Sequence, residues 1–337
     1  MFEHSVLIIG CGSIGERHLR CFQRIGRTQV AICDANSALL KKVAETHKVP
    51  AVSDWEQALA TGSFDAVVIC TPAHLHVAMA VRALQRGLHV LIEKPLSQSL
   101  DGLDELFRAH RQSGRQAAVA YVLHVFPFLI AAREFLARAE YGPVLQATAT
   151  YGQPFHLLRP AYAQTYYRDH ATGGGAIQDA LTHVANWMES VLGPADSVLC
   201  DCAHLALAAV SVEDTVHVSA RHGGALVNYT LNQFQAPNET TLQFNAAQGS
   251  VKIEVHRRRW GTFAAGASDW TWHETAPVEY DTHFVNQANA FIDQVEGKPS
   301  RLCSLEAAAQ TLRFNLAALD SAEVGVRIPC GRSLSDV

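Results

Sequence analysis

Residues Val6-Leu7-Ile8-Ile9 run straight into Gly10-Cys11-Gly12-Ser13-Ile14-Gly15, and this stretch confines the chain to a narrow set of folds. Four consecutive large aliphatic residues fit a short strand buried on both faces, as in a parallel sheet. The glycines that follow have separate tasks. Gly10 makes the tight turn out of the strand, Gly12 leaves no side chain between backbone and a pyrophosphate, and Gly15 lets the next helix press against the sheet. Cys11, Ser13 and Ile14 belong to the same turn. The helix begins with free N–H groups and its positive dipole end toward the phosphates. Asp34 ends the apolar run Gln29-Val30-Ala31-Ile32-Cys33, nineteen residues beyond Gly15. A carboxylate there can accept hydrogen bonds from the ribose hydroxyls of an adenine dinucleotide. Ala35, Asn36 and Ser37 offer no cation for a 2′-phosphate. NAD is therefore expected ahead of NADP. The plainer alternative is that Asp34 only caps the next helix.

The rhythm of the first third is strand, helix, strand. Apolar runs at Asp65–Cys70, His89–Ile92 and Gln116–Tyr121 alternate with helical spacing at Ala38–Thr46, Leu75–Arg86 and Leu100–Ser113, and Ser53 can cap a short helix through Leu59. Such alternation implies α/β architecture with a doubly wound parallel sheet. The pattern changes near Tyr121. A helix over Phe128–Arg138 and a strand over Val144–Tyr151 lead to the aromatic, basic and irregular segment Gly152–Thr172, and irregular stretches of that length are often functional. Gly173-Gly174-Gly175 precedes a helix over Ala176–Leu192. Five strand-like runs between Ser197 and Val255 have no helices between them, so their sheet is expected to be mostly antiparallel. Helices at Phe284–Val295 and Leu305–Ala322 close the chain. The expected division is a Rossmann-type dinucleotide-binding domain over residues 1–121 and a second α/β domain over 122–337.

Charge and composition remove several classes of function. Net charge is −5, and without a basic bias neither nucleic acid nor an anionic membrane is an expected partner. No basic region precedes an apolar core at the N-terminus, and no apolar run is long enough to span a bilayer, so a cytoplasmic location is expected. The eight cysteines are scattered, which suits a reducing compartment. Cys200, Cys202 and His204 alternate along one strand and would share a face. With no fourth ligand nearby, no metal is expected. Arg257-Arg258-Arg259 reads as a solvated strand end rather than a phosphate site.

Ligands of doubly wound sheets lie at the carboxyl ends of the strands. That rule selects Gly10–Gly15, the loop from Cys70 through Thr71, Pro72 and His76, and Glu93-Lys94-Pro95. Lys94 at such an end can hold a substrate hydroxyl and stabilise an alkoxide; its plainer reading is a surface lysine. Asp179 and His183 stand four apart in a helix, which puts both on one face. A histidine there can take a hydroxyl proton near neutral pH while the acid orients it; an ordinary surface pair is the alternative.

Gly10-Cys11-Gly12-Ser13-Ile14-Gly15 with His18, Thr71-Pro72, Glu93-Lys94-Pro95, and three glycines ahead of Asp179-x-x-x-His183 together resemble the Gfo/Idh/MocA oxidoreductases. The resemblance covers nearly the whole chain. It implies a Rossmann domain followed by an α/β domain whose open sheet often makes oligomer contacts, hence a homodimer or homotetramer. It implies NAD or NADP, and a sugar, polyol or sugar derivative as substrate. By the same resemblance Lys94, Asp179 and His183 are catalytic, with His183 the acid/base, and the Lys94–Pro95 peptide is cis. Tyr121, His124 and Arg168 join those three as substrate contacts. Ala73, Leu181, Asn186 and His124 depart from the common pattern. The segment from Tyr121 to His183 looks closest to a branch encoded with surface-polysaccharide genes, which brings nucleotide sugars into range. A cofactor-binding regulator or sensor, and a redox-assisted glycosidase, are the competing readings on this fold.

Overall fold

The computed structural model describes residues 3–60 and 64–331. The chain divides into two compact units, Met1–Val125 with Val278–Ala309, and Phe126–Pro277 with Gln310–Val337. The sequence expectation runs the second domain unbroken from 122, whereas Val278–Ala309 packs with the first unit.

In the first unit, β1 (His4–Ile9), β2 (Thr28–Cys33), β3 (Ala51–Val52), β4 (Ala66–Ile69), β5 (His89–Ile92) and β6 (Ala117–Val119) form one sheet in the order β3-β2-β1-β4-β5-β6. Every pairing is parallel, with Ile8 beside Ile32 on one side and Val68 on the other. The crossovers are α1 (Ser13–Arg24), α2 (Ser37–His47), α3 (Trp55–Ala60), α4 (His76–Gln85) and α5 (Leu103–Ser113). Residues 6–9 are all buried, as a strand covered on both faces requires. Asp54, and not Ser53, caps α3: its Oδ1 accepts the N–H groups of Glu56 and Gln57 at 2.8 and 3.2 Å. The returning helix Thr282–Val295 lies on α1, with Phe291 edge-on to Phe22 at 6.3 Å and Phe284 edge-on to His18 at 5.9 Å. Phe22, Phe291 and Ile292 are fully buried, each contributing about 1.5–3 kcal/mol.

The second unit holds α6 (Pro127–Ala137), β7 (Val144–Pro154) and α7 (Thr182–Leu192), followed by β8 (Ser197–Ala203), β9 (Thr215–His222), β10 (Ala225–Asn232), β11 (Phe234–Ala246), β12 (Gly249–Glu254), β13 (Arg259–Ala264), β14 (Thr271–Glu274) and β15 (Ile328–Pro329). These strands make one nine-stranded sheet, antiparallel except where β7 runs parallel to β10. Val227, Tyr229 and Leu231 are buried, and Asn228 is exposed. Trp187 of α7 covers that inner face at Phe244, and Phe314 covers it at Tyr229. The apolar face is therefore filled from within the unit. Leu199 and Leu226 stand exposed on the opposite face.

β13 and β14 correct the sequence expectation at Arg257–Arg259. Arg259 is not a solvated end: it pairs with Glu254 at 2.6 Å and Glu274 at 3.1 Å, and lies over the Trp272 ring at 4.0 Å. Cross-strand partners of this kind hold an edge ladder that charged, mixed sequence does not advertise.

Candidate active site

At the end of β1, Gly10 has φ +98°, and a Cβ there would lie 2.6 Å from the carbonyl oxygen of Cys70. A Cβ on Gly15 would lie 1.8 Å from the carbonyl oxygen of Gly10. These two glycines are required by close approach of the backbone. Gly12 differs: a Cβ there would meet no atom within 4 Å. Gly12 is also the N-cap of α1 and supplies no side-chain cap, so the helix start faces open space, as a pyrophosphate seat requires. Asp34 is aimed at this turn. Its Oδ2 accepts the N–H of Cys11 at 2.6 Å and its Oδ1 that of Asn36 at 2.7 Å. Asn36, not Asp34, caps α2, accepting from Leu39 N–H at 3.1 Å. Burial and the nearby Asp34 push the Cys11 thiol up to about 12, so it does not ionise near neutral pH.

Two other loops at this sheet edge are tied together. His76 is 1 % exposed, and its ring nitrogens face the carbonyl oxygens of Thr71 at 2.8 Å and Pro95 at 2.9 Å. Burial lowers its pKa against the pull of those carbonyls. His76 thus braces the Thr71-Pro72 loop against the Glu93-Lys94-Pro95 loop. Glu93 is buried and meets His18 Nε2 at 2.7 Å, while its Oε2 accepts the Lys94 N–H at 3.0 Å. Burial raises its carboxyl, but the His18 hydrogen bond and the charges of His18 and Lys94 outweigh that, leaving it lowered and ionised. His18, which the sequence offered only as part of a motif, is therefore what holds Glu93 behind Lys94. The Lys94–Pro95 bond is cis, and the Lys94 side chain is half-buried. Tyr121 and His124 are 1 % and 5 % exposed.

In the second unit the helix bearing Asp179 and His183 is irregular. Residues Ile177–Leu181 form a π-helical turn, closed by Thr182 N–H to the Ile177 carbonyl, before α7 continues. The extra residue per turn replaces the regular helix expected over Ala176–Leu192, and such turns recur at functional sites. Gly174 allows the loop to approach, since a Cβ there would lie 2.1 Å from the carbonyl oxygen of Tyr167. Asp179 and His183 are both half-buried. The Tyr166 hydroxyl donates to Asp179 Oδ1 at 2.7 Å, a partner missed by sequence reasoning because nothing marks one tyrosine among several in an irregular loop. Tyr167 anchors that loop in a small core with Phe155, Leu207 and Val212, and its hydroxyl meets Gln233. Arg168 is exposed beside it.

His204 does not continue the strand of Cys200 and Cys202. β8 ends at Ala203, and His204 Nε2 meets the carbonyl oxygen of Leu207 at 2.5 Å. Among the described residues one group has metal-ligand spacing, Glu3, His4 and Glu296. Arg27 and Lys298 already pair with Glu296, which they help hold at about 2.

Comparison with known proteins extends these observations. Residues 4–121 match the GFO_IDH_MocA model, described as an oxidoreductase family with an NAD-binding Rossmann fold. Residues 129–252 match the GFO/IDH/MocA C-terminal domain. A D-xylose 1-dehydrogenase (NADP(+)) from Haloferax volcanii is 31 % identical over 57 % of this chain and 58 % of its own. A levoglucosan dehydrogenase from Pseudarthrobacter phenanthrenivorans is 24 % identical over 58 % and 52 %. The matched stretch is thus about half the length of these curated relatives. A solved levoglucosan dehydrogenase in complex with NADH and levoglucosan superposes with a TM-score of 0.87, covering 98 % of this chain and 100 % of that one at 20 % identity. That likeness is one of fold. No described helix is long and apolar enough to cross a membrane.

Proposed function

This chain belongs to the Gfo/Idh/MocA oxidoreductase family, and on that premise we propose that it is an NAD-dependent dehydrogenase acting on a secondary hydroxyl, or the matching ketone, of a sugar, polyol or sugar derivative. The observation that carries the reading is the first unit's open helix start at Gly12 with the Asp34 carboxylate beside it, in a chain that retains Lys94, Asp179 and His183. When bound, the nicotinamide supplies the hydride acceptor or donor. Lys94, whose backbone N–H is held by Glu93, steadies the oxygen that carries developing negative charge. His183 moves the hydroxyl proton, and Asp179 orients it or binds a neighbouring hydroxyl. Arg168, Tyr121 and His124 complete the proposed substrate contacts. Relatives named for D-xylose and levoglucosan support a sugar-like substrate, and nucleotide sugars belong in the same panel.

The test is a screen of sugars, polyols and nucleotide sugars followed by nicotinamide absorbance. On a confirmed substrate, His183→Ala is expected to lower turnover by about 10²–10⁴-fold while NADH affinity holds. Near-normal turnover in that variant removes His183 from its role. NADH binding without turnover of any compound favours a regulator, and cleavage without net absorbance change favours a glycosidase. We also propose self-association through the outer sheet face near Leu199 and Leu226; a monomer by light scattering at micromolar concentration would refute it.

A further inference from the structure

The loop between β8 and β9 ends in Glu213-Asp214, buried at 4 % and 0 % exposure. The proposed reaction gives neither residue a part. Asp214 shapes its own loop. Its carboxylate accepts the N–H groups of Leu205, Ala206 and Leu207 at 3.0, 2.7 and 2.8 Å, and the Thr215 hydroxyl at 2.9 Å. Burial raises its carboxyl, and these donors more than reverse that.

Glu213 reaches elsewhere. Its carbonyl oxygen accepts the N–H of Ala176 at 3.0 Å, and its Oε1 accepts that of Ile177 at 2.8 Å. Both amides open the helix that carries Asp179 and His183, and no side chain of the Ala176 cap position serves them. A carboxylate there satisfies orphan donors and lies at the positive end of the helix dipole. Its other oxygen, Oε2, meets His170 Nε2 at 2.5 Å. That hydrogen bond, against burial, raises the pKa of His170. His170 follows closely on Tyr166, whose hydroxyl holds Asp179. The glycine at 175 is what admits the carboxylate, because a Cβ there would lie 2.5 Å from Glu213 Oε2.

We propose that Glu213 is the positioning residue of this half-site: one carboxylate clamps the first turn of the Asp179/His183 helix to the tyrosine loop, and so fixes the geometry of Asp179, His183 and Tyr166. The proposal rests on the catalytic reading of Asp179 and His183. Glu213 reaches them only through backbone and loop, so its loss should disturb turnover and the His183 environment without touching cofactor binding.

The full chain is compared with Glu213→Leu, Glu213→Gln and His170→Gln. The readouts are NADH titration, thermal midpoint, steady-state kinetics with levoglucosan, D-xylose and myo-inositol, and the titration of the His183 imidazole by NMR. Glu213→Leu is expected to lower kcat by about 10–100-fold, the cost of a small misplacement, with NADH affinity unchanged and the His183 titration displaced. Glu213→Gln keeps an oxygen for Ile177 N–H and is expected to restore most of kcat and the wild-type titration. Wild-type kcat and titration in Glu213→Leu overturn the clamp. So does a Glu213→Gln variant as impaired as Glu213→Leu, or NADH affinity falling in step with kcat. Should Glu213→Leu fail to fold, His170→Gln decides: an intact thermal midpoint with reduced kcat and a displaced His183 titration supports the clamp, and unchanged values overturn it. If wild type binds NADH but turns over none of the three probes, the dehydrogenase reading is what has failed on them, and the His183 titration alone decides the clamp.

Discussion

Two helices in this molecule begin at glycine clusters, and the clusters serve opposite ends. At Gly10–Gly15 the outer glycines pack backbone against backbone, while Gly12 leaves the helix start facing open space. At Gly173–Gly175 the space is filled: the Tyr167 carbonyl approaches Gly174, and the Glu213 carboxylate approaches Gly175. One helix start has a glycine N-cap with nothing over it, and the other is stoppered by an internal carboxylate. The orphan N–H groups and dipole are the same in both. The difference is where the chain's own carboxylate goes: Glu213 takes an amide that opens its helix, whereas Asp34 takes the Cys11 N–H, ahead of α1.

Filling the open start should have the largest effect. Gly12→Asp puts a negative charge where two phosphates are expected, and at an effective dielectric near 20 that repulsion is several kcal/mol. NADH affinity, read by fluorescence titration, is expected to fall about a thousandfold, or about 4 kcal/mol, with the thermal midpoint hardly moved. Retained affinity would show that this turn is not the seat. Crowding the stoppered start should do the reverse. Gly175→Ala meets Glu213 and takes a side chain to φ +92°, at an expected loss of about 2–3 kcal/mol of stability and no change in NADH affinity. A variant as stable as wild type would mean that Glu213 yields freely.

A smaller effect belongs to the open side alone. Asp34→Ser with Ala35→Arg removes repulsion and adds a phosphate partner. The ratio of kcat/KM values should move from NAD toward NADP by about tenfold or more, and a wild-type preference for NADP would misplace Asp34 relative to the ribose. The smallest effect lies at the far end of the stoppered helix. Burial raises the Glu189 carboxyl to about 7 despite donors from Thr311, Ala195 and Gln310. In the unfolded chain it returns to about 4.3. Between those values the folded state binds the extra proton, so stability falls as pH rises from about 5 to 7. Glu189→Gln should flatten that slope by about 1–2 kcal/mol, measured by urea unfolding at pH 5 and pH 8. Parallel slopes would deny Glu189 its burial.

Legibility followed the distance between partners. The parallel strands announced themselves because burial on both faces demands unbroken apolar runs such as Val6–Ile9. The open glycine start could be read locally, since its strand, turn, helix and acid all fall within thirty residues. The stopper could not: Glu213 lies 36 residues beyond Ile177 and 43 beyond His170, and an acidic dipeptide before a strand reads as a solvated turn. His76 and His18 were legible as motif members but not as braces, because both meet partners from other loops. The π-helical turn at Ile177–Leu181 carries no composition signal of its own. β13 and β14 escaped because Arg259 and Trp272 support each other across strands rather than along one.

The helix Thr282–Val295 has a consequence for synthesis. Ribosomes release the chain from its N-terminus, so all six strands of the parallel sheet emerge long before the helix whose Phe291 and Ile292 complete their core. At about 5–20 residues per second the delay is on the order of 10–40 s. Throughout it the part of α1 that packs on Phe291, including the edge of Phe22, lacks that cover. A nascent or truncated chain ending near residue 121 therefore presents a sticky surface to chaperones and to its neighbours on the same message, and recombinant fragments of that length should be recovered from inclusion bodies rather than from solution.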